Sequence, residues 1–391
     1  MRAENYADTV FGAPTREPGN QWAFDYYLPR PIPRDLPMSP RLVTALSEAE
    51  AALSRLDALG GAVDDPDVLA APFLRREAVA STRLDGVRVS LAEVWQAGLD
   101  DRAYTQDVLA VQRYVEAAEL ACDLARELPI TQRLILDVHR ALLRDVVPEE
   151  RRPGELRSSP VWIGAAEATP DTADFVTPLP VHLPDLLTDW ERFVNDDGLD
   201  YPPLVQAALM HYQFATLHPF IDGNGRLGRL LITLLLVARG RLTHPLLDLS
   251  TALEARGQEY YLDLQAVRES GDIDGWLFFS LEAVREQAED AAVRARTLLE
   301  LREELRSQAG DTRESLVRLV DVIVRDASVT VRSVATALGL EDPDARDLVD
   351  SAVDMGWLTS LGPRGLQGHE HWHAPRIDAV LGVSQTFHWF S

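Results

Sequence analysis

Residues 218–229 read His-Pro-Phe-Ile-Asp-Gly-Asn-Gly-Arg-Leu-Gly-Arg, and they combine side chains suited to handling phosphoryl groups. His218 can accept a proton near neutral pH, and Asp222 offers the hard oxygen ligands that suit Mg²⁺. Two guanidiniums follow at Arg226 and Arg229, three positions apart and therefore on one face of a helix. Planar guanidiniums in that arrangement can hold successive phosphates. The segment predicts a phosphate-handling site.

The elements that must position these side chains can be inferred from the same segment. Residues 223–225, Gly-Asn-Gly, can turn tightly enough to point backbone N–H groups at an anion. Residues 227–238 are mostly apolar and favour a helix, so the turn leads into a helix N-terminus, where anions are favoured. We therefore expect a nucleotide's phosphates to lie against Gly223, Asn224, Gly225, Arg226, Leu227, Gly228 and Arg229.

This segment matches, at every fixed position, the motif His-x-Phe-x-(Asp/Glu)-Gly-Asn-Gly-Arg-x-x-Arg of the Fic family. The resemblance covers most of residues 30–285, because the stretches 31–37, 76–86, 256–268 and 272–276 are also similar to Fic proteins. Most such proteins are adenylyltransferases, which transfer AMP from ATP to a protein hydroxyl group. The resemblance therefore implies ATP as substrate, Mg²⁺ as cofactor and a target protein as partner.

The resemblance also implies roles for individual residues. His218 would take the proton from a Ser, Thr or Tyr hydroxyl as that hydroxyl attacks the α-phosphorus of ATP. Asp222 would place Mg²⁺ between the α- and β-phosphates, and the loop amides with Asn224 would hold phosphate oxygens. Arg226 would bind on the side of the β-phosphate and Arg229 the γ-phosphate, while pyrophosphate leaves.

A residue for the adenine ring is less firmly indicated by the sequence. Tyr261 lies on the helix predicted after the motif, and it is a candidate to stack near adenine. Tyr260 and Tyr261 could equally be core residues.

Residues 81–86, Ser-Thr-Arg-Leu-Asp-Gly, resemble the inhibitory motif (Ser/Thr)-x-x-x-Glu-(Gly/Asn) of Fic proteins with an N-terminal inhibitory helix. Ser81 and Asp85 share one helix face, and Gly86 can end the helix. In the family the acidic residue pairs with the last motif arginine, here Arg229, and excludes the γ-phosphate. Aspartate is one methylene shorter than glutamate, so we expect weaker inhibition. The alternative is that Asp85 only caps a turn.

Three rival functions stay open at this point. A Fic site can transfer another phosphate-containing group, such as UMP, phosphocholine or a γ-phosphate. An inhibited Fic site can also run in reverse and remove AMP from a protein. Lastly, the chain could be a regulatory DNA-binding protein that uses its C-terminal residues.

The predicted fold is mainly α, a Fic helical bundle with a small β-hairpin flap and a C-terminal winged helix-turn-helix domain. We assign residues 1–100 to an extension that carries the inhibitory helix, 101–308 to the Fic core and 309–391 to the winged-helix-like domain. Apolar spacing predicts helices near 41–59, 66–85, 106–127, 131–145, 181–196, 202–216, 226–239, 250–269 and 273–307. The prolines of the first forty residues predict extended backbone running over the surface.

The flap is expected within residues 157–180, where the short runs 161–163 and 175–177 favour strands separated by a loop. In Fic proteins this hairpin covers the active site and pairs with an extended stretch of the target protein by strand addition. A target protein bound along the flap is therefore implied. The alternative is an ordinary hairpin without a binding role.

The C-terminal residues predict three helices, near 312–325, 332–338 and 342–355, and then two strands. The third helix carries five aspartates and a single arginine, Arg346, which disfavours contact with DNA phosphates. Packing, dimerisation or docking of a target is favoured instead, and a homodimer is plausible. His369, His371 and His373 alternate along one strand. They could ligate a metal, although a solvated strand is the preferred interpretation.

Composition narrows the function classes. The 391-residue chain has a net charge of −24, and all 38 of its lysine-plus-arginine residues are arginine. Such an acidic surface disfavours nucleic acid and anionic membranes as partners. The single cysteine, Cys122, cannot form an internal disulfide, and the longest apolar run, 230–238, is too short to span a bilayer. We expect a soluble, cytoplasmic protein.

Overall fold

The computed structural model describes residues 1–17, 22–61, 63–97, 99, 105–310, 314–364 and 368–382. The protein is mainly helical. The helices are α1 Pro40–Gly60, α2 Asp67–Leu84, α3 Leu91–Ala97, α4 Gln106–Glu127, α5 Gln132–Leu143, α6 Leu183–Val194, α7 Pro203–Leu217, α8 Asn224–Ala238, α9 Ser250–Ala255, α10 Gly257–Ser270, α11 Ile273–Ala309, α12 Glu314–Arg325, α13 Val331–Leu338, α14 Asp342–Asp354 and α15 Pro375–Leu381.

Short strands form three small antiparallel sheets in the described residues. They are β1 Gly12–Thr15, β2 Tyr26–Pro29, β3 Trp162–Ile163, β4 Phe175–Val176, β5 Ser328–Val329, β6 Thr359–Arg364 and β7 His369–His373. The first sheet pairs β1 with β2, the second pairs β3 with β4, and the third has the order β5-β7-β6. The predicted flap is the second sheet, in which Trp162 lies opposite Val176 and Ile163 opposite Phe175.

Several helices begin at a residue whose side chain accepts a hydrogen bond from the first turn. Ser39 begins α1 in this way, Thr105 begins α4, Thr131 begins α5 and Asp272 begins α11. Such caps satisfy N–H groups that have no intrahelical acceptor. These four caps help to fix where their helices begin.

The core of the molecule surrounds α7 and α8, which pack against each other and are buried on almost all faces. Helix α4 packs on α8 and on α5, and α1 packs along the long helix α11. Residues 218–223 join α7 to α8. The motif therefore lies between the two most buried helices of the bundle.

Helix α2, which precedes Asp85, is held inside the bundle by buried polar contacts. Arg76 forms an ion pair with Asp248 at 3.0 Å, and both side chains are almost completely buried. Glu77 accepts hydrogen bonds from the Tyr114 hydroxyl at 3.0 Å and from the backbone N–H of Ser250 at 2.7 Å. Breaking a buried pair of this kind is strongly destabilising, so α2 is fixed along its middle.

Three expectations for local structure were wrong. The helix predicted over 250–269 is two helices, because Arg256 leaves helical geometry at φ −114° and ψ 31°. Helices α3 and α15 were not predicted at all. The described residues before α1 contain two extended strands, β1 and β2, and a 3-10 turn at Ala3–Asn5, but they do not simply cross the surface, because Met1, Tyr6, Tyr26 and Tyr27 are buried.

The C-terminal unit has the three expected helices, α12 to α14, followed by the two expected strands β6 and β7. The arginine on its acidic helix, Arg346, pairs with Asp350 at 3.3 Å and Glu370 at 2.9 Å. His371 is 1% exposed, so the preferred interpretation of a solvated strand was wrong at that position. The unit rests on α2, where Arg75 pairs with Asp326 at 2.6 Å.

Two kinds of feature are absent from the described ranges. None of their helices combines the length and apolar character needed to cross a bilayer. They also contain no cluster of three or more His, Cys, Asp or Glu side chains arranged to hold a metal ion.

Candidate active site

The motif residues fold into a loop because one residue leaves helical geometry at each end. His218 follows α7 in the left-handed region, at φ 47°, and Gly223 precedes α8 at φ 73°. The Asn224 side chain closes the loop, since it accepts from the N–H of Phe220 and donates to its carbonyl oxygen, both at 2.9 Å. One N–H of the Asn224 amide thus holds the loop, and the predicted contact of this amide with phosphate oxygens stays a prediction.

The backbone of the loop still offers an anion site. The first intrahelical bond of α8 is donated by Leu227 to the carbonyl of Gly223 at 3.0 Å. The N–H groups of Asn224, Gly225 and Arg226 precede it, so they lack an intrahelical acceptor and suit an anion. Leu227 is completely buried and Gly228 packs closely on Phe214. Leu227 and Gly228, which were also expected to contact phosphates, contribute packing at this turn.

His139 on α5 also holds the motif loop, and the sequence did not indicate this role. Its Nδ1 accepts from the N–H of Gly154 at 2.8 Å, so its Nε2 carries the proton and donates to the carbonyl of Asp222 at 2.9 Å. Its ring stacks on Phe220 at 3.7 Å. Burial lowers the pKa of His139 to about 4, which keeps the ring neutral in this role.

The hydrogen bonds that the described residues make with the Asp222 carboxylate all involve one of its two oxygens, Oδ1. Its Oδ1 accepts from the N–H of Gly223 at 2.6 Å and lies 3.4 Å from Nη2 of Arg226. The side chain is 38% exposed. One such carboxylate beside substrate phosphates is a usual way to hold Mg²⁺, so the donor set fits that ion when phosphates supply the remaining oxygens.

His218 itself is held in a neutral state. Burial lowers its pKa to about 4, and the nearby Arg157 and Arg268 guanidiniums act in the same direction. A neutral imidazole is the form that can accept a proton. At neutral pH the residue is therefore ready to act as a base.

Arg157, at the start of the flap, was also missed by sequence reasoning. It is 2% exposed, and it donates to the carbonyl oxygens of His218 at 2.8 Å and Pro178 at 2.6 Å. One guanidinium thus connects the motif loop to the far end of the flap. Its only sequence signal is an arginine next to the predicted strands, which has many ordinary explanations.

The predicted pairing of Asp85 with Arg229 is present, and it includes a second arginine. Asp85 Oδ1 lies 2.9 Å from Arg229 Nη2, and Oδ2 lies 3.1 Å from Arg226 Nε. Ser81 adds two contacts, since its hydroxyl and its carbonyl oxygen accept from Arg229 at 2.9 and 2.6 Å. Aspartate is therefore long enough to reach both arginines here.

Gly225 lets the inhibitory segment approach the loop this closely. A Cβ atom at position 225 would lie 2.8 Å from Asp85 Oδ1 and 2.8 Å from Arg229 Nη1. Any side chain would push the carboxylate and the guanidinium apart. The missing side chain at Gly225 therefore leaves room for the ion pair in the position seen here.

These groups border a cavity of about 840 Å³, whose lining includes His218, Arg229, Asp85, Phe175 of the flap and Tyr261 of α10. Tyr261 is 49% exposed, and its hydroxyl donates to the carbonyl of Leu84 at 3.3 Å. Tyr260 is buried instead and contacts His211 at 2.8 Å. Both tyrosines line the cavity, Tyr260 as a buried residue and Tyr261 as a half-exposed one.

Arg268 on α10 is a further cavity residue that the sequence reasoning did not single out. It is 5% exposed, its Nε donates to the Thr216 hydroxyl at 3.1 Å, and its guanidinium lies 4.1 Å from the ring centre of Phe175. Within the described part of the chain, no carboxylate lies in ion-pair distance of it. Burial lowers its pKa. A buried cation without an anion is unfavourable, which suits a site that receives an anionic or acceptor-rich ligand.

The comparisons with known proteins agree with this geometry. The family model described as Fic/DOC family matches residues 129–236, and the model described as Fic/DOC family N-terminal matches residues 43–123. The chain contains a Fic/DOC domain. The matched ranges include His139, Arg157 and the motif up to Arg229, together with Ser81 and Asp85.

Curated relatives match only part of this chain. Protein adenylyltransferase Fic of Drosophila ananassae is 36% identical over 129 residues, which is 33% of this chain and 23% of that protein. The Drosophila melanogaster protein of the same name is 35% identical over the same length. The chain therefore spans less than a quarter of the length of these relatives.

Solved structures extend the similarity in fold. A Fic family protein from Desulfovibrio desulfuricans has a TM-score of 0.56 at 22% identity and covers 88% of this chain and 98% of its own. A fragment of Fic-1 from C. elegans has a TM-score of 0.50 at 21% identity, over 65% of this chain and 74% of its own. The helical Fic fold thus includes most of the molecule.

Proposed function

We propose that this protein is a nucleotidyltransferase that moves AMP from ATP to a Ser, Thr or Tyr hydroxyl of a target protein, and that pyrophosphate is released. The observation that carries the proposal is that His218 lines one cavity with Asn224 and Gly225 of the α8 N-terminus and with Arg229. Arg226 is joined to this group through Asp85. The Drosophila relatives named protein adenylyltransferase Fic support the same reaction.

In this reaction His218 accepts the proton of the attacking hydroxyl. The oxygen forms a bond to the α-phosphorus as the bond to the bridging oxygen of pyrophosphate breaks. Charge on the phosphate oxygens is neutralised by the N–H groups at the start of α8 and by Arg226 and Arg229. Mg²⁺ held by Asp222 would supply further positive charge to these oxygens.

The state described here is an inhibited one under this proposal. Both arginines are bound by Asp85, so a γ-phosphate would have to displace a carboxylate that already occupies its partner Arg229. Charge-assisted hydrogen bonds contribute roughly 1.5–3 kcal/mol each. Each ~1.4 kcal/mol changes an equilibrium by a factor of ten. One such bond to Asp85 therefore corresponds to inhibition of about 10- to 100-fold.

The flap is proposed as the place where the target lies. Trp162 and Ile163 of β3 are 40% and 41% exposed, and β3 is paired with β4 on one side only. An extended segment of a target can add to that free edge by backbone hydrogen bonds. This brings a hydroxyl side chain toward the cavity that holds His218.

The test is transfer of labelled AMP from ATP by the full chain, to itself and to a protein mixture, with the modified residue identified by mass spectrometry. His218→Ala should abolish transfer, a loss of about 10²- to 10⁴-fold, and should retain ATP binding. His244→Ala, a half-buried histidine outside the cavity, is the matched control. Near-normal transfer by His218→Ala would reject the proposal.

The same assay separates the rival activities. Parallel incubations with labelled UTP, CDP-choline and γ-labelled ATP report transfer of UMP, phosphocholine or a γ-phosphate. Incubation with an adenylylated protein reports removal of AMP. Incorporation from one of those donors without incorporation of AMP would replace the proposed reaction by that one.

A further inference from the structure

The flap is supported by a part of the chain that lies upstream of both family matches. Tyr6 and Tyr27 pack with Phe175 and Val176 of β4 in a small apolar cluster that is separate from the main core. Ring centres of Tyr6 and Tyr27 are 5.9 Å apart, as are those of Tyr27 and Phe175. The family matches begin at residue 43, so this support is supplied by residues outside the matched Fic/DOC ranges.

Within this cluster, Tyr6 connects the two walls of the cavity. Its hydroxyl donates to the carbonyl oxygen of Asp174, on the flap, and accepts from Nε2 of Gln265, on α10, at 2.7 Å. The next residue, Ala7, donates its N–H to the carbonyl of Glu269 at 2.7 Å. Asp174, Gln265 and Glu269 all line the 840 Å³ cavity.

The hydroxyl is suited to a permanent bridge. Tyr6 is 6% exposed, and burial raises its pKa to about 12. It therefore keeps its proton across the neutral range and can donate and accept at the same time. A buried group with both partners in place is costly to disturb, which fixes the spacing between Asp174 and Gln265.

We propose that Tyr6 is a positioning residue for the transfer reaction, which sets the distance between the flap and α10. The inference rests on the proposed function, because it takes the cavity as the nucleotide site and the free edge of β3 as the target site. Strand β3 is paired with β4, and the residue just before β4 is Asp174. A bond that holds Asp174 therefore also holds β4 and its partner β3. The position of β3 in turn sets the direction from which an acceptor hydroxyl approaches the α-phosphate.

The variant that tests this role is Tyr6→Phe, which removes the hydroxyl and keeps the ring in its cluster. Its matched control is Tyr201→Phe, because the Tyr201 hydroxyl also donates to a backbone carbonyl, that of Pro33 at 3.0 Å, but Tyr201 does not line the cavity. Both variants are made in the full chain. The acceptor is a His218→Ala copy of the same chain, and the donor is labelled ATP.

The decisive quantity is the ratio of AMP transferred to the acceptor to AMP released into water. A misaligned flap hinders the protein hydroxyl and not water, so Tyr6→Phe should lower the ratio by about tenfold, and Tyr201→Phe should leave it within about twofold. General destabilisation would reduce both reactions together. An unchanged ratio in Tyr6→Phe overturns the proposal.

A second measurement does not depend on the chemistry. Amide hydrogen exchange in residues 173–176 should become about tenfold faster in Tyr6→Phe than in Tyr201→Phe, while exchange in α8 stays the same. If the wild-type chain transfers no AMP, the adenylyltransferase proposal fails, and the exchange result still decides whether Tyr6 holds the flap. Equal exchange in the two variants refutes the bridge even when transfer is active.

Discussion

The two sides of the cavity are built on different principles. On the phosphate side, Asp85, Arg226 and Arg229 are held by ion pairs between the end of α2 and the start of α8. On the opposite side, Phe175 and Arg268 are held by aromatic packing against residues far away in the chain. The first side is therefore defined by charge and the second by shape. Changes on the first should alter rates, and changes on the second should alter what binds.

The largest effect is expected on the phosphate side from Asp85→Gly. Removing the carboxylate frees Arg226 and Arg229, so autoadenylylation should rise about 10- to 100-fold, by the strength of one charge-assisted hydrogen bond. The measurement is the initial rate of labelled AMP incorporation at saturating ATP. The control is Asp326→Gly, whose carboxylate pairs with Arg75 at 2.6 Å on the same helix as Ser81 but away from the motif.

An unchanged rate in Asp85→Gly would mean that the carboxylate does not limit the reaction in this chain. The variant Asp85→Glu tests whether the length of the acidic side chain matters for inhibition. Since the aspartate already reaches both arginines, the longer side chain should inhibit no more than about twofold further. A much stronger effect would show that the pairing seen here is loose in solution.

On the opposite side, Arg268→Met should weaken ATP binding by about tenfold, because it removes a buried cation that lines the cavity and can pair with an anionic ligand. The same change should leave the free energy of unfolding unchanged or raise it, since the buried cation has no carboxylate partner among the described residues. Calorimetric titration with ATP and chemical denaturation measure the two quantities.

Arg302→Met provides the contrast for that experiment. Arg302 is 8% exposed, but it is paired with Asp321 at 2.6 Å and lies outside the cavity. It should lower stability and leave ATP affinity unchanged. Equal losses of stability in the two variants would show that Arg268 is structural.

The last effect concerns stability rather than rate, and it depends on pH and again on the phosphate side. Burial lowers the pKa of His139 and of His211 from 6.5 to about 4. The unfolded chain therefore binds more protons between pH 6.5 and 4, and stability should fall with decreasing pH across that window. The slope contributed by each histidine is at most about 1.4 kcal/mol per pH unit.

Denaturation midpoints between pH 7 and 4.5 measure this dependence. His139→Gln should reduce the slope in proportion, because the amide does not titrate. A slope that is the same in the variant and the wild-type chain would assign the acid sensitivity to other groups.

The sequence predicted the phosphate side well for a physical reason. His218, Asp222 and the two arginines are contiguous, and Ser81 and Asp85 share a helix face, so local geometry alone brings each set together. His139, Arg157 and Arg268 could not be predicted, because their contacts depend on how separate helices pack. The prolines of the first forty residues predicted the extended backbone of β1 and β2, but the partner of Tyr27 is Phe175, which no local pattern connects to it.

The buried contacts in the middle of α2 limit how the inhibited state can be left. Arg76 and Glu77 would lose their partners Asp248 and Ser250 if the helix moved as a rigid rod, and breaking one such buried pair costs about 3–5 kcal/mol. The last turn, which ends at Asp85, is held by contacts of the site itself, with Arg226 and Arg229 on the Asp85 carboxylate and the Tyr261 hydroxyl on the carbonyl of Leu84. Arg229 is therefore released when the last turn of α2 alone unwinds, while the middle of the helix stays in place.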